Sequence, residues 1–228
     1  MVHVGPQQWF KARPMASATV PVGRVAGGIV FILPDPENIM EIFFASTLLV
    51  AVAEIGDKTM LLAILLATRF KKPLPVIAGI FVATIANHGL AAYAGSALAS
   101  LFTSDTFRTA VAIGFIAMAG WTLIPDKVDD DIKVASQRGA FIATTIAFFV
   151  VEMGDKTQVA TIALGAQYHA VLAVATGTTF GMMIANVPAV YLGERLVAKI
   201  SLRTVHMIAA AMFLILGIWQ LWELSKPA

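Results

Sequence analysis

Apolar residues are concentrated in six long runs along the chain, and short polar links separate the runs. The runs cover residues 41–68, 74–100, 107–124, 139–164, 171–192 and 202–224. A helix needs about 20 apolar residues, within a range of about 17–25, to cross the hydrocarbon core of a bilayer. Each run is long enough. The pattern predicts an all-α membrane protein with six transmembrane helices.

The composition agrees with a membrane location. Hydrophobic residues make up 58% of the 228 residues and charged residues only 13%, whereas soluble domains average about 45–50% and about 25%. The chain has no cysteine, which excludes disulfides, thiolate metal sites, iron–sulfur clusters and cysteine nucleophiles. The formal net charge of +2 argues against a nucleic-acid partner, because such a partner requires a concentrated basic surface.

Two regions lie outside the apolar runs. Residues 1–39 are rich in proline and glycine, and their apolar run, residues 25–33, is too short to span a bilayer. We interpret them as an N-terminal tail, either disordered or the product of a mis-assigned start; a poor signal peptide is the alternative. Residues 125–138 form an acidic linker, which we interpret as a solvated hinge. A regulatory role and the gathering of cations near a pore mouth are the alternatives.

The sequence repeats itself with an offset of 98 residues. The hexapeptide EIGDKT at residues 54–59 recurs as EMGDKT at residues 152–157, and IANHGLAAYAG at 85–95 parallels IANVPAVYLG at 184–193 with a shift of one further residue. AGW at 119–121 has a looser counterpart in LGIW at 216–219. Residues 40–124 and 139–228 are therefore predicted to be two three-helix repeats. Because three crossings end on the opposite face of the membrane, the repeats are predicted to be inverted, as in many secondary transporters.

Basic residues indicate the orientation of the chain in the membrane. They concentrate in the links after the first, third and fifth runs: Arg69, Lys71, Lys72, Lys127, Lys133, Arg138, Arg195, Lys199 and Arg203. The opposite side, without the tail, has only Arg108 and Lys226. The positive-inside rule then places the acidic linker in the cytoplasm, and Glu41 and the C-terminus outside. We expect a bacterial-type inner (plasma) membrane.

Both repeats place a glutamate, an aspartate and a lysine inside an apolar run. A charged residue at the centre of a membrane helix costs about 2.5–3.5 kcal/mol on insertion scales. One copy is compatible with a structural ion pair, but two copies in equivalent places favour a functional site, because structural pairs are readily replaced by apolar packing. The glutamate and the aspartate of each motif are three residues apart, so on a continuous helix their carboxylates face the same way. The glycine between the two acidic residues permits either a close helix crossing or a local break that exposes backbone carbonyls.

Four carboxylates gathered at the membrane midplane cannot all stay ionised without a cation or protons. The candidate metal ligands are oxygen donors from both repeats: Glu54, Asp57, Thr59, Glu152, Asp155 and Thr157. Hard oxygen donors suit calcium, magnesium or manganese rather than zinc or copper. We assign supporting roles to Gly56, Lys58, Asn87, Gly154, Lys156, Gln158 and Asn186. The two lysines are either structural counter-ions or cations that move in when the metal leaves.

His88 directly follows Asn87, but valine occupies the equivalent place in the second repeat, at Val187. We therefore interpret His88 as a packed or interfacial residue rather than a proton relay. The aromatic residues near the ends of the runs are typical of interfacial anchors.

The doubled motif resembles the family of calcium/manganese–proton antiporters, whose members have two E-x-G-D-[KR]-[TS] motifs in the first and fourth of six helices. EIGDKT and EMGDKT both match without departure, and the resemblance extends from about residue 40 to the C-terminus. Eukaryotic members of this family serve Golgi manganese and calcium homeostasis, and prokaryotic members resemble manganese exporters. The resemblance implies that Glu54, Asp57, Glu152 and Asp155 are the metal ligands and proton acceptors.

The leading hypothesis is a secondary transporter, not an enzyme, that exports divalent cations in exchange for protons. Manganese is the first candidate, with calcium as the second. The chain has no nucleotide-binding motif of the type G-x-x-x-x-G-K-[ST], so we expect an ion gradient to drive transport. We expect no resident cofactor. The sequence is compatible with a homodimer but does not determine the oligomeric state. A passive cation channel and an intramembrane aspartyl protease are the alternatives.

Overall fold

The computed structural model describes residues 25–26, 29–30, 36–102, 105–124, 139–193 and 201–226. The chain divides into two units, Met1–Leu33 and Pro34–Ala228. In the first unit, strands β1 (Val25–Ala26) and β2 (Ile29–Val30) pair antiparallel. Most of the predicted N-terminal tail and all of the predicted linker, residues 125–138, lie outside the described residues.

The described part of the second unit consists of eight α-helices. They are α1 (Pro36–Glu54), α2 (Lys58–Phe70), α3 (Pro73–Leu101), α4 (Asp105–Thr122), α5 (Gly139–Glu152), α6 (Lys156–Tyr168), α7 (Val171–Leu192) and α8 (Leu202–Ser225). Under the 98-residue offset, α1 to α4 correspond to α5 to α8. The helical fold class is therefore confirmed for this unit.

The first and fourth predicted spans are not continuous helices, so of the two alternatives that the motif glycines left open the structure has the local break. Each is broken at its motif by a turn, in which the N–H of Asp57 donates to the carbonyl of Glu54 over 3.0 Å and that of Asp155 to Glu152 over 3.1 Å. The third residue of each turn is a glycine, with φ of 84° at Gly56 and 78° at Gly154. Positive φ at this position is the conformation that glycine adopts without steric cost.

Fewer helices than the predicted six are long and apolar enough to cross a bilayer. Among the described residues, three meet both criteria: Pro73–Leu101, Val171–Leu192 and Leu202–Ser225. A fourth span is obtained if Asn38–Glu54 and Lys58–Phe70, which are bent by 71° at the motif, are counted together. Gly139–Glu152 is apolar but shorter. The apolar helices support a membrane protein, while six spans in two inverted repeats stay a prediction.

Because of the breaks, each repeat has four helices in the part of the chain that the structure describes, and the first helix of each repeat packs against the third helix of the other. α1 contacts α7, and its counterpart α5 contacts α3; α2 likewise contacts α7, and α6 contacts α3. Small residues permit the close approach. A Cβ on Gly177 would meet the backbone of Phe43 and the side chain of Ser46, and one on Gly79 would meet the equivalent residues, Phe141 and Thr144. The helices of the two repeats therefore pack against one another across the repeat boundary rather than folding side by side.

Candidate cation site

The helix breaks place the motif carboxylates at four helix ends. Glu54 and Glu152 are the last residues of α1 and α5, while Asp57 and Asp155 are the N-caps of α2 and α6. A carboxylate at an N-cap is stabilised by the positive end of the helix dipole. Neither aspartate side chain accepts a hydrogen bond from its own helix N-terminus. Their oxygens therefore face other partners.

Three carboxylates from the two repeats form a compact cluster. One oxygen each from Glu54, Asp57 and Asp155 lies within 4.8 Å of the other two. The three residues are buried, with at most 3% of their surface exposed. Carboxylates this close repel one another strongly when water is excluded, and only cations or protons offset that repulsion. Glu54 and Asp57 do not share one face of a continuous helix. The turn between α1 and α2 brings their carboxylates together instead.

The fourth carboxylate, Glu152, is not part of that cluster. Its Oε2 accepts long hydrogen bonds from the hydroxyl of Thr84, over 3.5 Å, and from the amide of Asn87, over 3.4 Å. Its Oε1 lies 2.7 Å from Nε2 of His88, although the contact is too poorly aligned to count as a hydrogen bond. The structure thus brings three of the four predicted carboxylates together and holds the fourth among polar residues of α3.

The two asparagines of the repeated IAN stretch reach across to the opposite repeat. The amide of Asn186, in α7, donates to Oε1 of Glu54 over 3.4 Å, and the equivalent Asn87, in α3, donates to Glu152. Both asparagines are fully buried. Their amide nitrogens also donate to the carbonyls of Phe149, over 3.1 Å, and Met182, over 3.0 Å. Each asparagine therefore positions one motif glutamate.

The two motif lysines have different surroundings. Nζ of Lys58 lies 2.9 Å from Oδ1 of Asp155, so this ion pair joins the repeats. Nζ of Lys156 donates to the carbonyl of Ile124 over 2.8 Å. The hydroxyl of Thr157 donates to the second oxygen of Asp155 over 3.1 Å. Lys58 and Thr157 together engage both oxygens of one cluster member.

The remaining predicted residues lie around the turns. The Thr59 side chain is fully buried, and its hydroxyl has no hydrogen-bond partner among the described residues. Oε1 of Gln158 accepts from the N–H of Gly154 over 2.6 Å, so this side chain stabilises the second turn. Gly56 packs against Leu202 at the start of α8.

His88, interpreted from the sequence as packed or interfacial, is packed: it is fully buried beside Glu152. Comparison of the repeats did not indicate this contact, because Val187 occupies the equivalent place. The signal that could have indicated it is adjacency: His88 directly follows an asparagine that both repeats place next to a motif glutamate.

Comparison with known proteins yields one family. The model of the family described as Divalent cation/proton antiporter GDT1 matches residues 42–130 and again residues 140–228. The two windows are offset by 98 residues (140 minus 42), the same offset that separates the motifs. The resemblance based on the motifs is confirmed.

Individual relatives agree with the family match. A Vibrio cholerae serotype O1 protein named "Putative manganese exporter" is 47% identical over 195 residues, which are 85% of this chain and 96% of that protein. A GDT1-like protein of Synechocystis sp. is 29% identical over 79% of this chain and 96% of its own length. "GDT1-like protein 3" of Arabidopsis thaliana is 27% identical over 78% and 69%. No solved structure matches.

Proposed function

Because the chain belongs to the divalent cation/proton antiporter GDT1 family, we propose that it exports manganese from the cytoplasm in exchange for protons. Calcium is the second candidate substrate. The family consists of transporters rather than enzymes, and the proposed cations are cargo, not resident cofactors. Export and the preference for manganese rest on the likeness to a protein named as a manganese exporter and on the site chemistry.

The observation that carries the proposal is the cluster of Glu54, Asp57 and Asp155, three buried carboxylates contributed by both repeats. Oxygen donors of this kind suit hard divalent cations. The same oxygens also accept protons, so a metal ion and protons compete for one site, and this competition is the requirement for exchange. Glu152, which lies among polar groups of α3, adds a fourth proton acceptor outside the cluster.

Alternating access follows from the way in which the site is assembled. Two cluster members belong to the first repeat and one to the second, and the ion pair between Lys58 and Asp155 also joins the repeats. Movement of one repeat against the other would therefore open the cluster to one side of the membrane at a time. Release of the metal on the far side then requires protons to replace it.

The test is metal-dependent proton flux into proteoliposomes of the purified protein, measured with manganese, calcium and magnesium in parallel. We expect manganese on one side to drive protons the opposite way. Metal uptake without proton movement would identify a passive channel and contradict the proposal. Protein-free liposomes with the same ion gradients are the control.

We predict that manganese and calcium compete for the site while magnesium competes poorly. Calcium accepts 6–8 oxygens in flexible arrangements, whereas magnesium demands near-ideal octahedral geometry at about 2.0–2.1 Å. A cluster of three carboxylates contributed by two repeats is poorly suited to that rigid geometry. Magnesium also gives up its water reluctantly. The measurement is manganese-driven proton flux with each competitor at equal concentration, and magnesium transport as fast as that of manganese would contradict the prediction.

We also predict that the acidic linker faces the cytoplasm and that Glu41 faces the outside, because basic residues follow alternate apolar runs. The chain has no native cysteine, so single cysteines report accessibility cleanly. In intact cells, a membrane-impermeant thiol reagent should label Glu41→Cys but not Asp130→Cys, and cell lysis should expose both. Labelling of position 130 before lysis would reverse the proposed orientation.

A further inference from the structure

We propose that Lys58 is a tethered competitor of the transported cation. Its ammonium group neutralises Asp155 when no metal is bound and leaves that carboxylate when a metal binds. This inference rests on the proposed function of the carboxylate cluster. It assigns distinct behaviour to one of two lysines that the repeated motif presents as equivalent.

Both oxygens of Asp155 are engaged in the structure. Nζ of Lys58 lies 2.9 Å from Oδ1, and the hydroxyl of Thr157 donates to Oδ2 over 3.1 Å. A metal that binds Asp155 must therefore share or replace one of these partners. The hydroxyl can rotate and offer its own oxygen to the metal. The ammonium group has no acceptor capacity and cannot do so.

Electrostatics decides which partner moves. A divalent ion binds carboxylate oxygens at about 2.0–2.6 Å, so an ammonium that stayed 2.9 Å from the same oxygen would lie no more than about 5.5 Å from the metal. A charge of +1 and a charge of +2 at that distance in a buried site repel strongly. Metal binding and the Lys58–Asp155 contact are therefore mutually exclusive or strongly opposed.

The structure also gives Lys58 a route away from the cluster. Its side chain is 27% exposed, whereas that of Asp155 is 1% exposed. Lysine carries its charge on a flexible four-carbon stem, which lets the ammonium move several ångströms without backbone motion. Lys58 belongs to the first repeat and Asp155 to the second, so relative movement of the repeats would separate them as well. Return of the ammonium would help to expel the metal.

Lys156 is a poor candidate for the same role. Only 6% of it is exposed, and its ammonium donates to the backbone carbonyl of Ile124 over 2.8 Å. Its ammonium is thus held by a backbone carbonyl, in a side chain that is largely buried. The equivalent residues of the two motifs therefore have different surroundings.

The first test is equilibrium binding of manganese to the purified protein at pH 8, where protons compete with the metal less than at neutral pH. Lys58→Met should bind manganese about tenfold more tightly than the wild type, because the competing charge is gone. Lys72→Met makes the same chemical change at an exposed lysine outside the site and should leave affinity unchanged. A structural role for Lys58 predicts weaker binding. Unchanged or weaker binding by Lys58→Met would overturn the inference.

A second measurement uses the wild-type protein and so does not depend on whether the variant folds. An amine-reactive reagent followed by mass spectrometry should label Lys58 more when manganese is present, while Lys72 labelling stays constant. Equal or lower Lys58 labelling with manganese would contradict displacement. Failure of the proposed function has another signature: the wild type itself would show no saturable manganese binding, and Asp155→Asn would behave identically to it.

Discussion

Asp57→Asn and Asp155→Asn should each abolish metal-coupled proton flux while the protein is still produced and purified as a folded species. The carboxamide keeps the shape of the side chain but brings no negative charge and does not titrate. Removal of one partner from a buried charge interaction costs about 2–5 kcal/mol, so we expect at least about a thirtyfold loss of manganese affinity.

The matched control is Asp105→Asn, which makes the same chemical change at an aspartate whose side chain is 89% exposed, in the first turn of α4. This variant should transport at the wild-type rate. Flux in proteoliposomes and manganese binding in detergent should both be measured, because they separate loss of binding from loss of coupling. A wild-type rate for either cluster variant would mean that the three carboxylates are not the transport site.

Gly177→Ala and Gly79→Ala should each destabilise the protein strongly. A Cβ at Gly177 would lie 2.6 Å from the carbonyl oxygen of Phe43, and one at Gly79 would lie 2.8 Å from that of Phe141. Both obstacles are backbone atoms, so a rotamer change cannot relieve the contact. Overpacking of this kind costs about 1–3 kcal/mol. We expect the thermal unfolding midpoint to fall by roughly 5 °C in a chain of this size.

The control for these variants is Gly89→Ala, which lies in α3 together with Gly79 but has open space where the Cβ would be built. Alanine has the higher helix propensity, by about 1 kcal/mol, so this variant should be as stable as the wild type or more so. Thermal unfolding of the three purified variants and the wild type tests whether the midpoint falls for Gly177→Ala and Gly79→Ala but not for Gly89→Ala. Equal midpoints for Gly79→Ala and Gly89→Ala would show that the α3–α5 contact is not tightly packed.

The sequence was sufficient to predict the helical class, the two motifs and the buried asparagines. These features are expressed in local patterns: apolar run length, a charged hexapeptide and its repetition. The repeated IAN stretch was informative because an amide inside an apolar run must find a partner, and the structure supplies Glu54 and Glu152 as those partners.

The sequence did not decide between a helix break at each motif and a continuous helix with a close crossing. Hydropathy does not register a break of three residues within an apolar run, and Gly56 is equally compatible with a close helix crossing. The exclusion of Glu152 from the cluster was not predictable either. It depends on Thr84 and His88, which reach Glu152 from a different helix, and the repeat pattern gives no counterpart for that contact.

The crossed packing of the repeats has a consequence for biosynthesis. A chain made from its N-terminus releases α1, with Glu54 at its end, well before α7 emerges with Asn186. Until then the first motif lacks the partners from the second repeat that it has in the folded protein, among them Asn186 for Glu54 and Asp155 for Lys58. Polar groups without partners are unfavourable in lipid. We therefore expect a chain truncated after α4 to be less stable in the membrane than the full chain.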